Sequence, residues 1–283
     1  MDLLTLFNTS LARLGEYRVS TTDPTSLPDT TAERALLEKI TLQYAQSRDN
    51  LLSRYRWSFA KDFREVPLAY VTMTSIANSS GVAQVTLAAH GLTDGMWLLL
   101  ENTVGTDGRW KVTGSTTNTF KLEGSVWNAN IVAGRYVVVP AFGYDYRYEI
   151  PSDVLRVNTV NGKMASTDRT TWLRVGKFIH SCSPVCKMSV IQQITNPALF
   201  PAEFTECLVV QLAADISMSI SGANADRQGL LQELETIHIP KARMNNAIDR
   251  KQDTEQGPSG AVSSRLTWEY DRSVYDPYPD IQR

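Results

Sequence analysis

Apolar residues recur at helical spacing in two stretches near the start of the chain. The first ends before Gly15, which stands where a helix C-cap is expected, and contains Leu3, Leu4, Leu6, Phe7, Leu11 and Leu14. The second begins at Thr30 or Thr31 and could run to about Tyr55, with Arg48 on its polar side. The pattern predicts a short helix and then one of about 26 residues, roughly 39 Å long.

After Pro67 the pattern changes to short apolar runs separated by turn residues. Val82–Leu87, Met96–Leu100 and Tyr136–Val139 are such runs, in a segment rich in Thr, Val, Gly and Asn. Its basic and acidic side chains balance, which leaves no charged face for a polyanion. Residues 71–140 are therefore predicted to form a small inserted β-rich domain.

Strand patterns continue beyond the inserted segment. Aromatic and charged residues alternate over residues 144–149, and Val154–Val160 leads into Asn161-Gly162, a pair that favours a hairpin. Trp172–Val175 and Lys187–Ile194 are further candidate strands. These runs predict a few strands between the inserted domain and the next helices.

Helical spacing returns near residue 200. Pro201 and Gly222 suit the start and end of one helix, and another is expected from about Asp226, with Pro240 kinking or splitting it. The fold class predicted from all these elements is α+β: a helical-bundle body with a small antiparallel sheet. Residues 1–70 and 141–250 form that body, 71–140 the inserted β domain, and 251–283 a flexible linker and extended C-terminal tail.

Composition narrows the class of protein. Hydrophobic residues make up 42% of the 283 residues and charged residues 20%, which is typical of a folded, soluble protein. A net charge of -2 argues against a dedicated nucleic-acid binder. The expectation is a protein without a signal peptide or membrane span, whose three cysteines are reduced in a cytoplasm.

Candidate chemistry is sparse. The nearest approach to a metal cluster is formed by His180, Cys182 and Cys186, but a second pair of ligands is missing. Cys207 is expected to be buried as a small hydrophobic residue. His90 is expected to be a hydrogen-bonded histidine in a turn. Four carboxylates could form an acid/base pair only if folding gathers them: Glu65, Asp145, Glu149 and Asp153. No nucleophile elbow, phosphate loop or dinucleotide fingerprint occurs. The sequence therefore predicts no enzyme, no metal and no cofactor.

The last residues carry a cluster of aromatic side chains among acidic ones. Its aromatics and one preceding basic residue form a candidate docking tail: Arg265, Trp268, Tyr270, Tyr275 and Tyr278. Rigid aromatic anchors are typical of interface hot spots, whereas the neighbouring acidic residues would repel a nucleic-acid backbone. Docking on a partner protein is the preferred interpretation, and the alternative is that the tail folds back on its own domain.

Three ordered segments resemble one family. Arg56-Trp57-Ser58-Phe59-Ala60, the run from Tyr146 to Val157 and the run from Thr195 to Phe204 are similar to segments of bacteriophage tail tubular protein A. The motif residues expected to be structural are Trp57, Phe59, Tyr148, Pro151, Asp153, Phe200, Pro201 and Phe204. Within 71–140, Ala89-His90-Gly91-Leu92 and Gly108-Arg109-Trp110-Lys111-Val112 resemble a β module often inserted in phage structural proteins.

The resemblance implies a head-to-tail adaptor of a short-tailed phage. Such a protein forms a ring, expected to be dodecameric, between the portal protein and a nozzle like tail tubular protein B. DNA passes through it without specific binding. The implied location is the virion, after assembly in the host cytoplasm, with the C-terminal tail on the portal and the inserted domain outside the ring, facing a fibre, the nozzle or a host surface. The alternatives are a fibre-attachment or host-surface-binding protein and, with little support, a virion cell-wall hydrolase.

Overall fold

The computed structural model describes residues 1–28, 31–103, 105–127, 134–165, 172–220 and 224–255, and these form two compact units. One unit comprises residues 1–43 and the chain from Phe200 onward, and the other comprises residues 44–199. The boundary falls inside the second helix. The helical elements are α1 (Leu3–Ala12), α2 (Ala32–Arg54), α3 (Ala202–Ile220), α4 (Asn224–Glu233), a π-helical segment (Leu234–His238) and α5 (Ile239–Glu255).

The two predicted N-terminal helices are confirmed. The Asp2 carboxylate caps α1 by accepting a hydrogen bond from the Thr5 amide at 2.8 Å, and Gly15 ends the turn with a φ of +72°. Helix α2 has 23 residues and is therefore about 35 Å long. Placing Arg48 on its polar side is wrong. Arg48 is only 6% exposed because its guanidinium donates to Asp49 at 2.8 Å and lies over the Tyr44 ring.

The C-terminal helices explain how the chain accommodates Pro240. Proline has no N–H to donate, and its ring crowds the carbonyl four residues earlier in an α-helix. The π-helical segment widens the turn directly before this residue, and the Ile239 amide donates to the Leu234 carbonyl five residues back. The predicted interruption is thus a local change of helix type, and α5 continues beyond it.

Strands in three sheets make up the rest of the described structure. They are β1 (Lys61–Val66), β2 (Val71–Thr72), β3 (Ser75–Ser79), β4 (Val82–Thr86), β5 (Trp97–Glu101), β6 (Gly108–Thr113), β7 (Thr119–Leu122), β8 (Arg135–Val139), β9 (Tyr146–Glu149), β10 (Val154–Val160), β11 (Trp172–Val175), β12 (Phe178–Ser181) and β13 (Cys186–Gln192).

Strands β2 to β8 form one seven-stranded antiparallel sheet with the order β2-β8-β5-β6-β7-β4-β3, called the barrel below because a single bend joins its two end strands around one core. Only Met73 and Thr74 separate β2 from β3, so one bent segment supplies both the first and the last strand. The Met73 amide bonds to Gly134 on one side of this bend and the Thr74 amide to Thr86 on the other. The interior is filled by Met73, Ile76, Ala83, Val85, Leu92, Leu98, Leu100, Val112, Phe120, Leu122 and Tyr136.

The other strands form two three-stranded antiparallel sheets, β1-β13-β10 and β11-β12-β9. Apolar residues from both sheets share one buried cluster, so the sheets pack face to face. This pair is called the sandwich below. Its buried cluster contains Tyr148, Ile150, Val154, Val160, Trp172, Ile179, Cys186, Met188 and Val190.

The predicted helical-bundle body with a small sheet is wrong. In the described ranges, thirteen strands form three sheets, and the helices belong mainly to one of the two units. The strands outside the barrel form a sandwich with its own core, which a small sheet lying on helices would not need. The predicted division into 1–70 with 141–250, 71–140 and 251–283 stays a prediction.

The hairpin signal at Asn161-Gly162 corresponds to a tight turn whose flanking residues Val160 and Lys163 form an antiparallel bridge. Both residues have positive φ, and Val160 and Lys163 exchange two 2.9 Å backbone hydrogen bonds across them. Strand β10 pairs with β13, and Asn161 extends this contact: its amide donates to the Lys187 carbonyl at 2.7 Å, and its side-chain Oδ1 accepts from the Lys187 amide at 2.9 Å.

Candidate interaction surfaces

The first family-like motif holds the end of α2. Trp57 is 2% exposed, and its indole N–H donates to the Leu51 carbonyl at 2.9 Å. Phe59 is partly buried, with its ring centroid 6.1 Å from that of Trp57. The geometry gives both residues a packing role, and it offers no reactive group to a ligand.

The second motif fixes the sandwich. Tyr148 is buried and donates its hydroxyl to the Ser183 carbonyl at 2.7 Å, and the Pro151 carbonyl accepts from the Val154 amide at 3.0 Å. The guanidinium of Arg64, on β1, contacts both carboxylate oxygens of Asp153, with N–O distances of 2.7 and 2.6 Å. These hydrogen bonds lower the pKa of Asp153. The Arg64–Asp153 pair therefore ties β1 to the turn before β10.

The third motif begins α3. The Phe200 and Phe204 rings pack with centroids 5.0 Å apart, and both residues are buried. Pro201 lies directly before the helix, and its carbonyl accepts from the Thr205 amide at 2.9 Å. This motif thus positions the start of a core helix.

The cysteines and His180 do not form a metal centre. Cys186 lies in the sandwich core, where burial raises the pKa of its thiol to about 12, whereas Cys182 is exposed. His180 lies on β12 beside Tyr144, and burial lowers its pKa. Cys207 is buried in α3, as expected, and burial raises its pKa to about 12. In the part of the chain that the structure describes, no group of three or more metal-ligating side chains is assembled.

The four candidate carboxylates lie in separate places. Asp145 is 3.6 Å from Arg109, Glu149 bonds to Lys177 at 2.7 Å, and Asp153 belongs to Arg64. Glu65 lies on the edge strand β1, opposite Lys187. No acid/base pair follows from this distribution.

His90 is the turn residue that the sequence predicts. Its Nδ1 accepts a hydrogen bond from the Leu92 amide at 3.0 Å, and its ring packs edge-on against Phe120 at 5.0 Å. The prediction of a hydrogen-bonded turn histidine is confirmed. The candidate docking residues Arg265, Trp268, Tyr270, Tyr275 and Tyr278 lie outside the described residues.

A groove lies on the outer face of the sheet β1-β13-β10. Phe63 is 72% exposed at its rim, with the Lys61 ammonium 4.4 Å from the ring centroid. The groove has a volume of about 430 Å³, and Thr159 and Ser189 are among its lining residues. Charged side chains line it as well, namely Arg64, Glu65 and Lys187, and the Arg64 guanidinium is already paired with Asp153.

A second exposed surface lies on the last helix. Ile237, Met244 and Ile248 are 58%, 60% and 49% exposed. Ile237 belongs to the π-helical segment directly before α5, and Met244 and Ile248 follow it after seven and eleven residues. These spacings are close to two and three helical turns, so the three residues lie near one side of the continuous helix. These three residues are called the α5 stripe below. Leu234, Ile239 and Ala242 are buried, so the π-helical segment and α5 together carry apolar residues on two sides.

The sequence analysis predicted a helix here but did not single out Ile237, Met244 and Ile248 as an exposed surface. The spacing of Ile237, Met244 and Ile248 was the available signal. A second apolar stripe on one helix indicates an unfilled contact.

The described helices include none with the length and apolar character needed to span a membrane. The sequence matches no protein-family model and no curated protein.

Proposed function

We propose that this chain is a structural virion protein, a head-to-tail adaptor of a short-tailed bacteriophage. It joins the portal to the tail nozzle as a ring of identical copies, and DNA passes through this ring. The resemblance to tail tubular protein A implies that the ring has twelve copies. The observation that carries the proposal is the α5 stripe. A helix that buries one apolar side and exposes another suits a subunit that gains contacts on assembly.

The family-like motifs support the proposal through their structural roles. Trp57, Tyr148 and Phe204 are each nearly fully buried, and Asp153 is clamped by Arg64. Residues with such roles are expected to recur in proteins that share a scaffold.

The charge balance supports a conduit for DNA. A net charge of -2 supplies no excess of lysine and arginine to hold phosphates, so DNA could slide past the ring. In this proposal the portal contacts the C-terminal tail, and the barrel faces a fibre, the nozzle or the host surface.

The mass of the full-length protein, alone and mixed with the portal protein of the same genome, tests the proposal. Native mass spectrometry should show a complex in which the number of copies follows the portal's symmetry. A triple variant of the α5 stripe, Ile237→Ser, Met244→Ser and Ile248→Ser, should not complete the ring. The matched control is Val126→Ser, which changes a 79% exposed apolar residue on the barrel and should assemble normally.

A different outcome would favour another function. A trimer that ignores the portal would contradict the adaptor proposal and favour fibre attachment or host-surface binding. Normal assembly of the triple variant would remove the α5 stripe from the argument.

A further inference from the structure

The α5 stripe lies on the helix from which the C-terminal segment departs. Helix α5 ends at Glu255, seven residues after Ile248, and 28 residues follow it. The stripe from Ile237 to Ile248 is about 17 Å long. Because residues 256–265 can span up to about 33 Å, residues 266–281 can reach every position of the stripe.

The charges of α5 and of the C-terminal segment are complementary. Helix α5 contains four basic side chains and three acidic, a net charge of +1: Lys241, Arg243, Arg250, Lys251, Asp249, Asp253 and Glu255. Residues 268–280 contain four acidic side chains and one basic, a net charge of -3: Glu269, Asp271, Asp276, Asp280 and Arg272. Opposite net charges on two segments of one chain favour their encounter.

The segment also carries apolar residues that suit a helix surface. Leu266, Trp268, Tyr270, Val274, Tyr275, Tyr278 and Ile281 fall within sixteen residues. Rigid aromatic side chains bury a large area at low entropic cost, and Pro277 and Pro279 restrict the backbone further. Packed against Ile237, Met244 and Ile248, they would remove exposed apolar surface from both sides.

We propose that residues 266–281 cover the α5 stripe of their own chain in the free subunit. The cover and the docking tail are then the same segment, so binding of its aromatics to another surface uncovers the stripe. The last step rests on the proposed function: the portal takes the segment from α5, and the uncovered stripe contacts the neighbouring copy. This order makes assembly depend on the portal.

A photo-cross-linking amino acid in place of Met244, in the full-length chain, tests the cover. On irradiation of the dilute protein, mass spectrometry should find adducts between position 244 and peptides within 266–281. The matched control carries the same group in place of Ala247. Ala247 is exposed and lies roughly 60° around the helix from Met244, on the side away from Ile248. The control should give several-fold fewer of these adducts.

Mixing isotopically heavy and light protein before irradiation identifies the donor chain. Adducts confined to heavy–heavy and light–light pairs support a cover by the same chain. Mixed adducts with the tail, or adducts between two α5 helices, would overturn it in favour of a second copy. Equal yields at positions 244 and 247 would overturn it as well.

A full-chain variant with Trp268→Ser, Tyr270→Ser, Tyr275→Ser and Tyr278→Ser supplies a second readout. With its stripe uncovered, this variant should self-associate at lower concentration than the wild type in sedimentation experiments. Unchanged self-association would contradict the cover. The two proposals fail separately: a confirmed cover in a protein that ignores the portal refutes only the adaptor function, whereas portal binding without the adducts refutes only the cover.

Discussion

The barrel and the sandwich are both antiparallel β-structures, yet they reach stability in different ways. The barrel uses one continuous segment, Val71–Val139, and its strand order returns to the bend at which it starts. The sandwich combines strands from Lys61–Val66 to Cys186–Gln192, and it has strand edges such as β1. A closed sheet satisfies its own edges, whereas an open one needs caps and clamps.

The sandwich obtains these supports from side chains. Arg64 and Asp153 link β1 to the turn before β10, and Asp62 accepts from Arg64 and from the Phe63 amide, both in β1. In the barrel, Arg135 and Glu101 pair across β8 and β5, while the closure itself is made by backbone hydrogen bonds of Met73 and Thr74. We therefore expect packing to dominate the stability of the barrel, and charge to matter more in the sandwich than in the barrel.

The largest effect should come from the barrel core. Phe120 is fully buried against Tyr136 and His90, so Phe120→Ala should lower the free energy of unfolding by about 3 to 5 kcal/mol. Val126→Ala, at an exposed barrel position, should change it by less than about 0.5 kcal/mol. Urea unfolding measures both. Peptide-resolved hydrogen exchange should show the loss of amide protection within residues 71–139. An equal loss of protection throughout the sandwich would contradict the difference drawn between the two regions.

Trp57→Ala tests whether packing at the end of α2 contributes as much stability as packing in the barrel core. Trp57 is 2% exposed and bonds to Leu51, so the expected loss is again about 3 to 5 kcal/mol. Trp57→Phe should lose less because most of the packing remains. A negligible change in urea unfolding of Trp57→Ala would contradict the packed role assigned to this motif.

The sequence predicted the strands of the barrel better than it predicted the strand pairing of the sandwich. The barrel's runs, such as Val82–Leu87 and Tyr136–Val139, fall in one segment, so local patterns locate most of its strands. The sandwich pairs β1 with β13, more than a hundred residues apart, and local periodicity carries no information on such a pairing. The local signal at Asn161-Gly162 located a turn, but it carried no information on the pairing of β10 with the distant β13.

The candidate surfaces divide in the same way. The motif residues Trp57, Tyr148 and Phe204 were expected to be structural, and their burial agrees with that role. The exposure of Ile237 was not predictable from its spacing, because helical periodicity groups residues by side without saying which side is covered. Only the packing of α3 and α5 distinguishes buried Ala242 from exposed Met244.

Gly134→Ala tests how tightly the chain is packed where the two end strands of the barrel meet. Gly134 has a φ of +152°, and an added Cβ would lie 2.6 Å from Thr103 and 2.8 Å from Met73. Because both neighbours are buried, the expected loss is about 1 to 3 kcal/mol. Gly124→Ala is the control: its φ is +74° with nothing within 4 Å, so only backbone strain of about 1 kcal/mol remains. Equal losses in urea unfolding would show that the closure tolerates a side chain.

The smallest effect should appear when charge is removed from the sandwich. Hydrogen bonds from Arg64 lower the pKa of Asp153 in the folded protein, so its stabilising effect is present above the carboxylate's ordinary pKa and disappears as the pH falls through the lowered value. Since the Asp153 side chain is 45% exposed, Asp153→Asn should cost at most about 1 kcal/mol at pH 7. Urea unfolding of both proteins between pH 7 and pH 3 should show their stabilities converging in acid.

Asp145→Asn, at the longer 3.6 Å pair with Arg109 beside the barrel, should differ less from the wild type at pH 7. If the Asp153→Asn difference persists unchanged in acid, the clamp acts through shape instead of charge, and the sandwich depends on packing as the barrel does.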